Sequence, residues 1–235
     1  MKKVIKDIAE IYPCIQGEGS RAGSPSILIR TLGCNLRCHW CDTPYTSWEV
    51  EKGSYSLDHV SSLLSEHSQI QDIIVTGGEP CIYPDIDTLI SICKKENKHI
   101  TLETNGTRLI SKDTMKLIDL VSISPKLHNS TPLNSPWTER HEKERIHIDI
   151  LSDWMRLAKN YQLKFVVTHP EDLKEINSLI AQLDSDKQKV YLMPEGTTQN
   201  QLQEKREWLA NICIQEGFCY CERLHVVIYG DKRGV

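Results

Sequence analysis

Gly33-Cys34-Asn35-Leu36-Arg37-Cys38-His39-Trp40-Cys41-Asp42-Thr43 is the stretch around which the chain is organised. Cys34, Cys38 and Cys41 form a C-x3-C-x2-C run, so three thiols lie within eight residues. A loop that short brings its thiols to one inorganic centre. The number three carries information: a structural zinc or a closed cluster takes four protein ligands, whereas three leave one coordination position open. The competing reading is a zinc knuckle completed by His39 or Cys81.

Moving outward, Ser26 to Leu32 is an apolar run bounded by Pro25 and Gly33 and reads as a buried strand leading into the cysteine loop. Arg30 lies inside it. A guanidinium there needs an anion, either a neighbouring carboxylate or one on a ligand, and the strand alone does not choose between them. Upstream, Val4 to Tyr12 is strand-like, and Pro13-Cys14-Ile15-Gln16-Gly17-Glu18-Gly19 is expected to break it into a loop whose glycines admit close backbone approach.

Downstream the pattern alternates. Helices are expected over 57–67, with Ser56 as N-cap, then 86–93, 114–118, 148–161, 173–183 and 199–213. Strands are expected over 72–76, 99–102, 120–123, 163–168, 190–193 and, last, 224–229. Six strand-helix units and a closing strand predict an α/β fold with a parallel sheet, an open, partial β/α barrel rather than a closed one. The unusual residues all follow strands: the cysteine loop, Gly77-Gly78-Glu79-Pro80, Glu103-Thr104-Asn105-Gly106, Ser124-Pro125-Lys126, Thr168-His169-Pro170 and Met193-Pro194-Glu195-Gly196. Carboxyl ends of strands are where such enzymes place their chemistry.

Composition narrows the class. A chain of 235 residues without a linker is expected to form one domain over 1–235. With 28 basic and 32 acidic side chains and no block of like charge, it does not read as a nucleic-acid binder. No run of 18 apolar residues suggests a membrane span, and charge interrupts the first residues before any signal core, so a cytoplasmic protein is expected. Of nine cysteines, the clustered three are read as metal ligands. Cys219 and Cys221 read as small buried groups on one face of a strand. The polar segment 127–145 is expected to be a solvated loop, with a lid as the alternative.

The cysteine spacing, with aromatic Trp40 before the third cysteine, resembles the radical S-adenosylmethionine (SAM) superfamily. The resemblance sharpens with Ile15-Gln16-Gly17-Glu18-Gly19, Arg30, Cys41-Asp42-Thr43, Gly77-Gly78-Glu79-Pro80 and Ser124-Pro125-Lys126. Together these are similar to the 7-carboxy-7-deazaguanine synthases of queuosine biosynthesis. That resemblance implies a lyase converting 6-carboxy-5,6,7,8-tetrahydropterin to 7-carboxy-7-deazaguanine and ammonia by radical ring contraction, with a 4Fe-4S cluster, SAM and Mg2+.

It further implies cluster ligation by Cys34, Cys38 and Cys41 and SAM contacts from Trp40, Cys41, Asp42, Gly78, Ser124, Pro125 and Lys126. Ile15, Gln16, Gly17, Arg30 and Thr76 are implied at the pterin, and Thr43 at magnesium, where capping of a turn is the plainer reading. No side chain is required as a strong base. A homodimer and a reducing partner such as a flavodoxin or ferredoxin are also implied. Some members use a terminal carboxylate at the pterin, which directs attention to Val235. The sequence also admits two alternatives: an activating enzyme for a glycyl-radical protein, which shares the cysteine loop, and a zinc-bound interaction module.

Overall fold

The computed structural model describes residues 8–235; the expected strand beginning at Val4 lies partly outside them. The elements in order are β1 (Ile8–Ile15), β2 (Pro25–Thr31), α1 (Leu57–Glu66), β3 (Asp72–Gly77), α2 (Ile86–Lys95), β4 (His99–Thr104), α3 (Lys112–Met115), β5 (Leu120–Ile123), α4 (Thr138–Glu144), α5 (Ile148–Leu157), β6 (Tyr161–Val167), α6 (Leu173–Leu183), β7 (Val190–Pro194), α7 (Gln199–Glu216), β8 (Cys219–Tyr220) and α8 (Leu224–Tyr229). The eight strands lie side by side in sequence order. From β2 to β8 every pairing is parallel, and β1 joins antiparallel to β2 at the edge. The expected open α/β sheet with six strand-helix units is therefore present as β2 through β7.

Period-two alternation within each strand divides the sheet into two faces. Ile27 and Ile29 of β2, Ile73 and Val75 of β3, Ile100 and Leu102 of β4, Val121 and Ile123 of β5, Leu163, Phe165 and Val167 of β6, and Val190 and Leu192 of β7 enter the main core. Helices cover that face: α6 adds Ile176, Leu179, Ile180 and Leu183, an i, i+3, i+4, i+7 stripe. Their neighbours in sequence point to the concave face. Leu28, Arg30, Ile74, Thr76, Glu103, Lys164, Val166 and Met193 line a cavity there.

The floor of the concave face is closed by a turn at Gly19–Arg21. The Ser20 amide donates to Gln162 Oε1 at 3.0 Å, and Gln162 Nε2 donates to Ser122 Oγ at 2.9 Å. Gly19 has φ +71° and its missing Cβ would sit 2.0 Å from Gln162 Nε2, so only glycine fits.

Five sequence expectations are corrected. Pro13, Cys14 and Ile15 continue β1 instead of breaking it, because an edge strand tolerates proline on its unpaired side. Residues 224–229 form a helix: the Leu224 amide is captured by the Gly17 carbonyl at 2.9 Å, and Gly230 at φ +69° ends the turn, so tertiary contact overrides a β-branched run. The closing strand is instead β8, which ends before Cys221, so Cys219 and Cys221 do not share a strand face; Cys221 is buried and Cys219 is partly exposed. The helices expected over 114–118 and 148–161 are α3 and α5, shifted or shortened, and Tyr161 opens β6. Fifth, residues 127–145 form a packed segment and not a solvated loop: His141, Ser130 and Leu127 are at most 1% exposed.

Candidate active site

The cavity at the carboxyl ends of the strands has an empty space of about 1230 Å³, its open mouth included. All three clustered cysteines line it. Burial pushes the Cys34 and Cys38 thiols up to about 12, so neither ionises at neutral pH without a cation to stabilise the thiolate. Between β2 and the turn at Pro44–Thr46 the loop has no regular structure, and its shape comes from contacts to its neighbours.

The Gly77-Gly78 pair is one of these. A Cβ at Gly78 would lie 2.4 Å from the Gly33 carbonyl oxygen and 2.8 Å from Cys34 Cβ; one at Gly77 would lie 2.3 Å from Thr31 Oγ1. The Glu79 amide donates to the Gly33 carbonyl at 2.8 Å. The Glu79 carboxylate is fully buried and accepts from the Cys81 and Asn105 amides and the Thr104 hydroxyl at 2.7–2.9 Å, joining β3 to β4. Asn105 Nδ2 then donates to Asn35 Oδ1 at 3.1 Å, so the cysteine loop is held from this side.

Of the residues implied for SAM, Trp40, Cys41, Asp42, Gly78, Ser124 and Lys126 line the cavity, and Pro125 is buried behind it. Lys126 Nζ donates to the Ser124 carbonyl and hydroxyl at 2.7 and 2.8 Å. Ile15, Gln16, Gly17, Arg30 and Thr76 also line the same space, as do Thr43 and Val235. Thr43 occupies the N-cap position of the turn at Pro44–Thr46 but makes no side-chain capping bond there, so the plainer reading of it does not hold. Arg30 has a protein carboxylate after all: its Nε donates to Glu10 Oε2 at 2.7 Å. Burial opposes its charge, but neighbours including Glu10 raise its pKa, so it faces the cavity as a cation.

A charged group at the C-terminal side was not read from the sequence. Glu18 accepts from Lys164 and from Arg223, and Arg223 also donates to Asp42. Burial works against Glu18 ionisation, yet the Lys164 and Arg223 charges hold its carboxyl below the usual range. Asp42 is lowered in the same way by Arg223, although its side chain remains 43% exposed because it borders the cavity. His225 lies against Gly17, whose missing Cβ would fall 2.0 Å from His225 Nδ1; burial lowers its pKa and keeps it neutral. Lys164 interrupts an apolar strand as Arg30 does, the one local signal available; Arg223 and His225 had none.

The chain matches the Radical SAM superfamily over residues 28–183. A 7-carboxy-7-deazaguanine synthase from Halobacterium salinarum is 40% identical, covering 95% of this chain and 90% of the relative. The chain belongs to the 7-carboxy-7-deazaguanine synthase family. A second synthase, from Rhodopirellula baltica, is 38% identical over 97% of this chain and 88% of its own length. The crystal structure of QueE from Escherichia coli superposes with a TM-score of 0.67, covering 94% of each chain at 21% identity, which supports the fold.

Membership in this synthase family implies a 4Fe-4S cluster and SAM, and the donor set fits them. Among the described residues no group of three or more His, Cys, Asp or Glu is placed around a single metal ion. Cys34, Cys38 and Cys41 would hold a cluster rather than a single ion, which asks of them that they line one cavity, as they do. The residues considered for closing a zinc site are turned elsewhere. His39 Nε2 lies 2.8 Å from the Asn129 carbonyl, Cys81 Sγ donates to Thr104 Oγ1 at 3.4 Å, and neither lines the cavity. Among the described residues no helix is long and apolar enough to cross a membrane.

Proposed function

We infer that this chain converts 6-carboxy-5,6,7,8-tetrahydropterin to 7-carboxy-7-deazaguanine and ammonia, a step toward queuosine and related deazapurines. The observation that carries the reading is the single cavity that three thiols and Arg30, Thr76, Gln16 and Gly17 line together, in a chain 40% identical to a synthase of this name. Cys34, Cys38 and Cys41 are assigned to the cluster. A cluster held there would supply the electron that breaks the sulfonium C–S bond of SAM, giving methionine and the 5′-deoxyadenosyl radical.

The chain's own residues bind and orient. Trp40, Asp42, Gly78, Ser124, Pro125 and Lys126 are assigned to SAM, with Lys126 steered by its bonds to Ser124. Arg30 is assigned to the substrate carboxylate as a charge-assisted donor. Gln16 is oriented by donation to Glu103 at 3.3 Å, and Gly17 offers backbone groups beside it. Leu28, Leu36, Ile74, Val166 and Met193 form apolar wall and limit water around the reacting atoms. Thr43 is assigned to Mg2+, whose preference for oxygen ligands and retained water suits one hydroxyl with a substrate carboxylate. No protein base is assigned.

The reading includes a cytoplasmic homodimer of single-domain chains over residues 1–235, reduced by a flavodoxin or ferredoxin. The test is an anaerobic assay of the reconstituted full chain with SAM, reductant and the carboxytetrahydropterin. Formation of 7-carboxy-7-deazaguanine and ammonia without net loss of SAM is expected. SAM cleavage indifferent to the pterin, with no deazaguanine formed, would overturn the assignment.

A further inference from the structure

The reaction above makes no use of residues 127–145, yet they contact the cysteine loop at Arg37, His39 and Trp40. Both sides of Cys38 are held by this segment. The Arg37 amide donates to His141 Nδ1 at 3.1 Å, and the His39 amide donates to the Ser130 carbonyl at 2.9 Å. One residue further on, Trp40 Nε1 donates to the Asn129 carbonyl at 3.0 Å, and His39 Nε2 lies 2.8 Å from the same oxygen. Arg37 stacks over Trp137, 4.3 Å from the ring centre.

The segment is itself anchored. Asn129 Nδ2 donates to the Val166 carbonyl at 3.0 Å and to Asp172 Oδ2 at 2.8 Å. Arg145 donates to Glu142 at 2.8 Å, to Glu175, and to the Lys126 carbonyl at 3.0 Å. The contacts therefore run from β6 and α6 through residues 127–145 to the cysteine loop, and they touch Ser124-Pro125-Lys126 on the way.

Counting hydrogens fixes the tautomer of His141. Ser130 Oγ has one hydrogen and gives it to the Leu127 carbonyl at 2.6 Å, so toward His141 Nε2, 2.9 Å away, it accepts. His141 carries its proton on Nε2, and Nδ1 is free to receive the Arg37 amide. The side chain is 1% exposed and Ser130 is 0% exposed, so loss of the acceptor would leave the part-buried Arg37 amide without its partner.

We propose that residues 127–145 are a clamp that shapes the cysteine loop for its cluster, with His141 as the positioning residue that receives the Arg37 amide beside Cys38. The proposal rests on the reading that Cys34, Cys38 and Cys41 hold the cluster. A loop without regular structure gets its order from tertiary contacts, and a site held loosely loses the geometry its centre needs. His141 touches no reacting atom.

The test uses the full-length chain as wild type, His141→Leu and His141→Asn. Leucine fills the space without an acceptor, whereas the asparagine carbonyl can occupy the place of Nδ1. Hydrogen exchange over residues 34–43 is measured before and after reconstitution, with iron and sulfide per chain and the electron paramagnetic resonance spectrum of the reduced cluster with and without SAM. His141→Leu is expected to accelerate exchange over 34–43 by about tenfold, to hold less iron and to blunt the spectral response to SAM, and His141→Asn to recover most of each. A leucine variant equal to wild type, or an asparagine variant no better than leucine, overturns the clamp. Should His141→Leu not fold, the wild-type chain decides: amides of 37–39 protected together with 141–145 support the clamp, and independent exchange overturns it. A wild-type chain that takes up no iron and sulfide overturns the functional reading instead, and the exchange data still judge the clamp.

Discussion

The β-carbon that alanine would bring to position 78 lies 2.4 Å from the carbonyl oxygen of Gly33. Neither partner is the end of a flexible side chain, so the ends of β2 and β3 must separate to admit it. Gly78→Ala is expected to cost about 1–3 kcal/mol, the usual range for overpacking, and to move Cys34 with the loop. Thermal melting of the apo chain and SAM titration of the reconstituted chain read the two effects. Gly217→Ala, at φ +78° with open space around it, is the control: it should cost about 1 kcal/mol and leave SAM binding unchanged. Wild-type SAM affinity in Gly78→Ala would count against the close approach as a functional constraint.

Arg223 joins Glu18 to Asp42, two parts of the chain that the sequence keeps far from it. Arg223→Met leaves Asp42 without this partner and Glu18 with Lys164 alone, and breaking a buried pair costs about 3–5 kcal/mol. The pH window follows from the shifts. Glu18 is lowered from 4.5, so its contribution is complete above that value and is lost as pH falls through the folded pKa. Lys164 is raised from 10.5, so its contribution is complete below that value and is lost as pH rises through the folded pKa. In urea unfolding, the wild-type advantage over Arg223→Met should stay level from roughly pH 7 to 10 and shrink below, because Arg223 adds to burial in lowering the His225 pKa from 6.5. A difference already absent at neutral pH would show that the network contributes no net stability.

Local spacing is what made part of this site legible. Cys34, Cys38 and Cys41 need only their own loop, and Gly77-Gly78 needs only the strand before it. The six parallel strands were readable because each carries a short apolar run between turn residues. The two faces of each strand were not, since runs such as Ile73-Ile74-Val75 are apolar on both sides. Lys164, Arg223 and His225 gain their roles from partners about 140 to 200 residues away, as with Lys164–Glu18 and Arg223–Asp42. The segment 127–145 misled for a related reason. Its polar side chains suggested solvent, but His141 accepts from the Arg37 amide, Ser130 Oγ donates to the Leu127 carbonyl, and Asn129 Nδ2 donates to the Val166 carbonyl and to Asp172.

His141 also gives the chain a pH dependence on the acid side. Burial lowers its pKa from 6.5 to about 4. Above 6.5 the folded and unfolded chains both carry it neutral, so it contributes no slope. Between 6.5 and 4 the unfolded chain binds the extra proton, and stability falls by up to about 1.4 kcal/mol per pH unit. Urea midpoints at pH 7 and pH 5 should therefore differ more in wild type than in His141→Asn, which cannot titrate. Equal differences in the two proteins would show that His141 accepts a proton in the folded chain as readily as in the unfolded one.

The sharpest division is between three thiols and the two side chains next to them in sequence or space. Cys34→Ala, Cys38→Ala and Cys41→Ala each remove a ligand from an open-sided centre, and each should lose the visible sulfide-to-iron absorbance and all detectable turnover. Cys81→Ser removes a thiol that donates to Thr104 Oγ1 and does not line the cavity where Cys34, Cys38 and Cys41 meet. It should keep iron, sulfide and colour near wild-type levels. His39→Ala loses one bond to the Asn129 carbonyl while Trp40 keeps another, so it too should load a cluster, with a modest rise in loop exchange. Metal analysis after anaerobic reconstitution checks all five variants. Loss of iron in Cys81→Ser or His39→Ala comparable to that in Cys38→Ala would mean a fourth protein ligand, and a centre so closed would have no place for SAM.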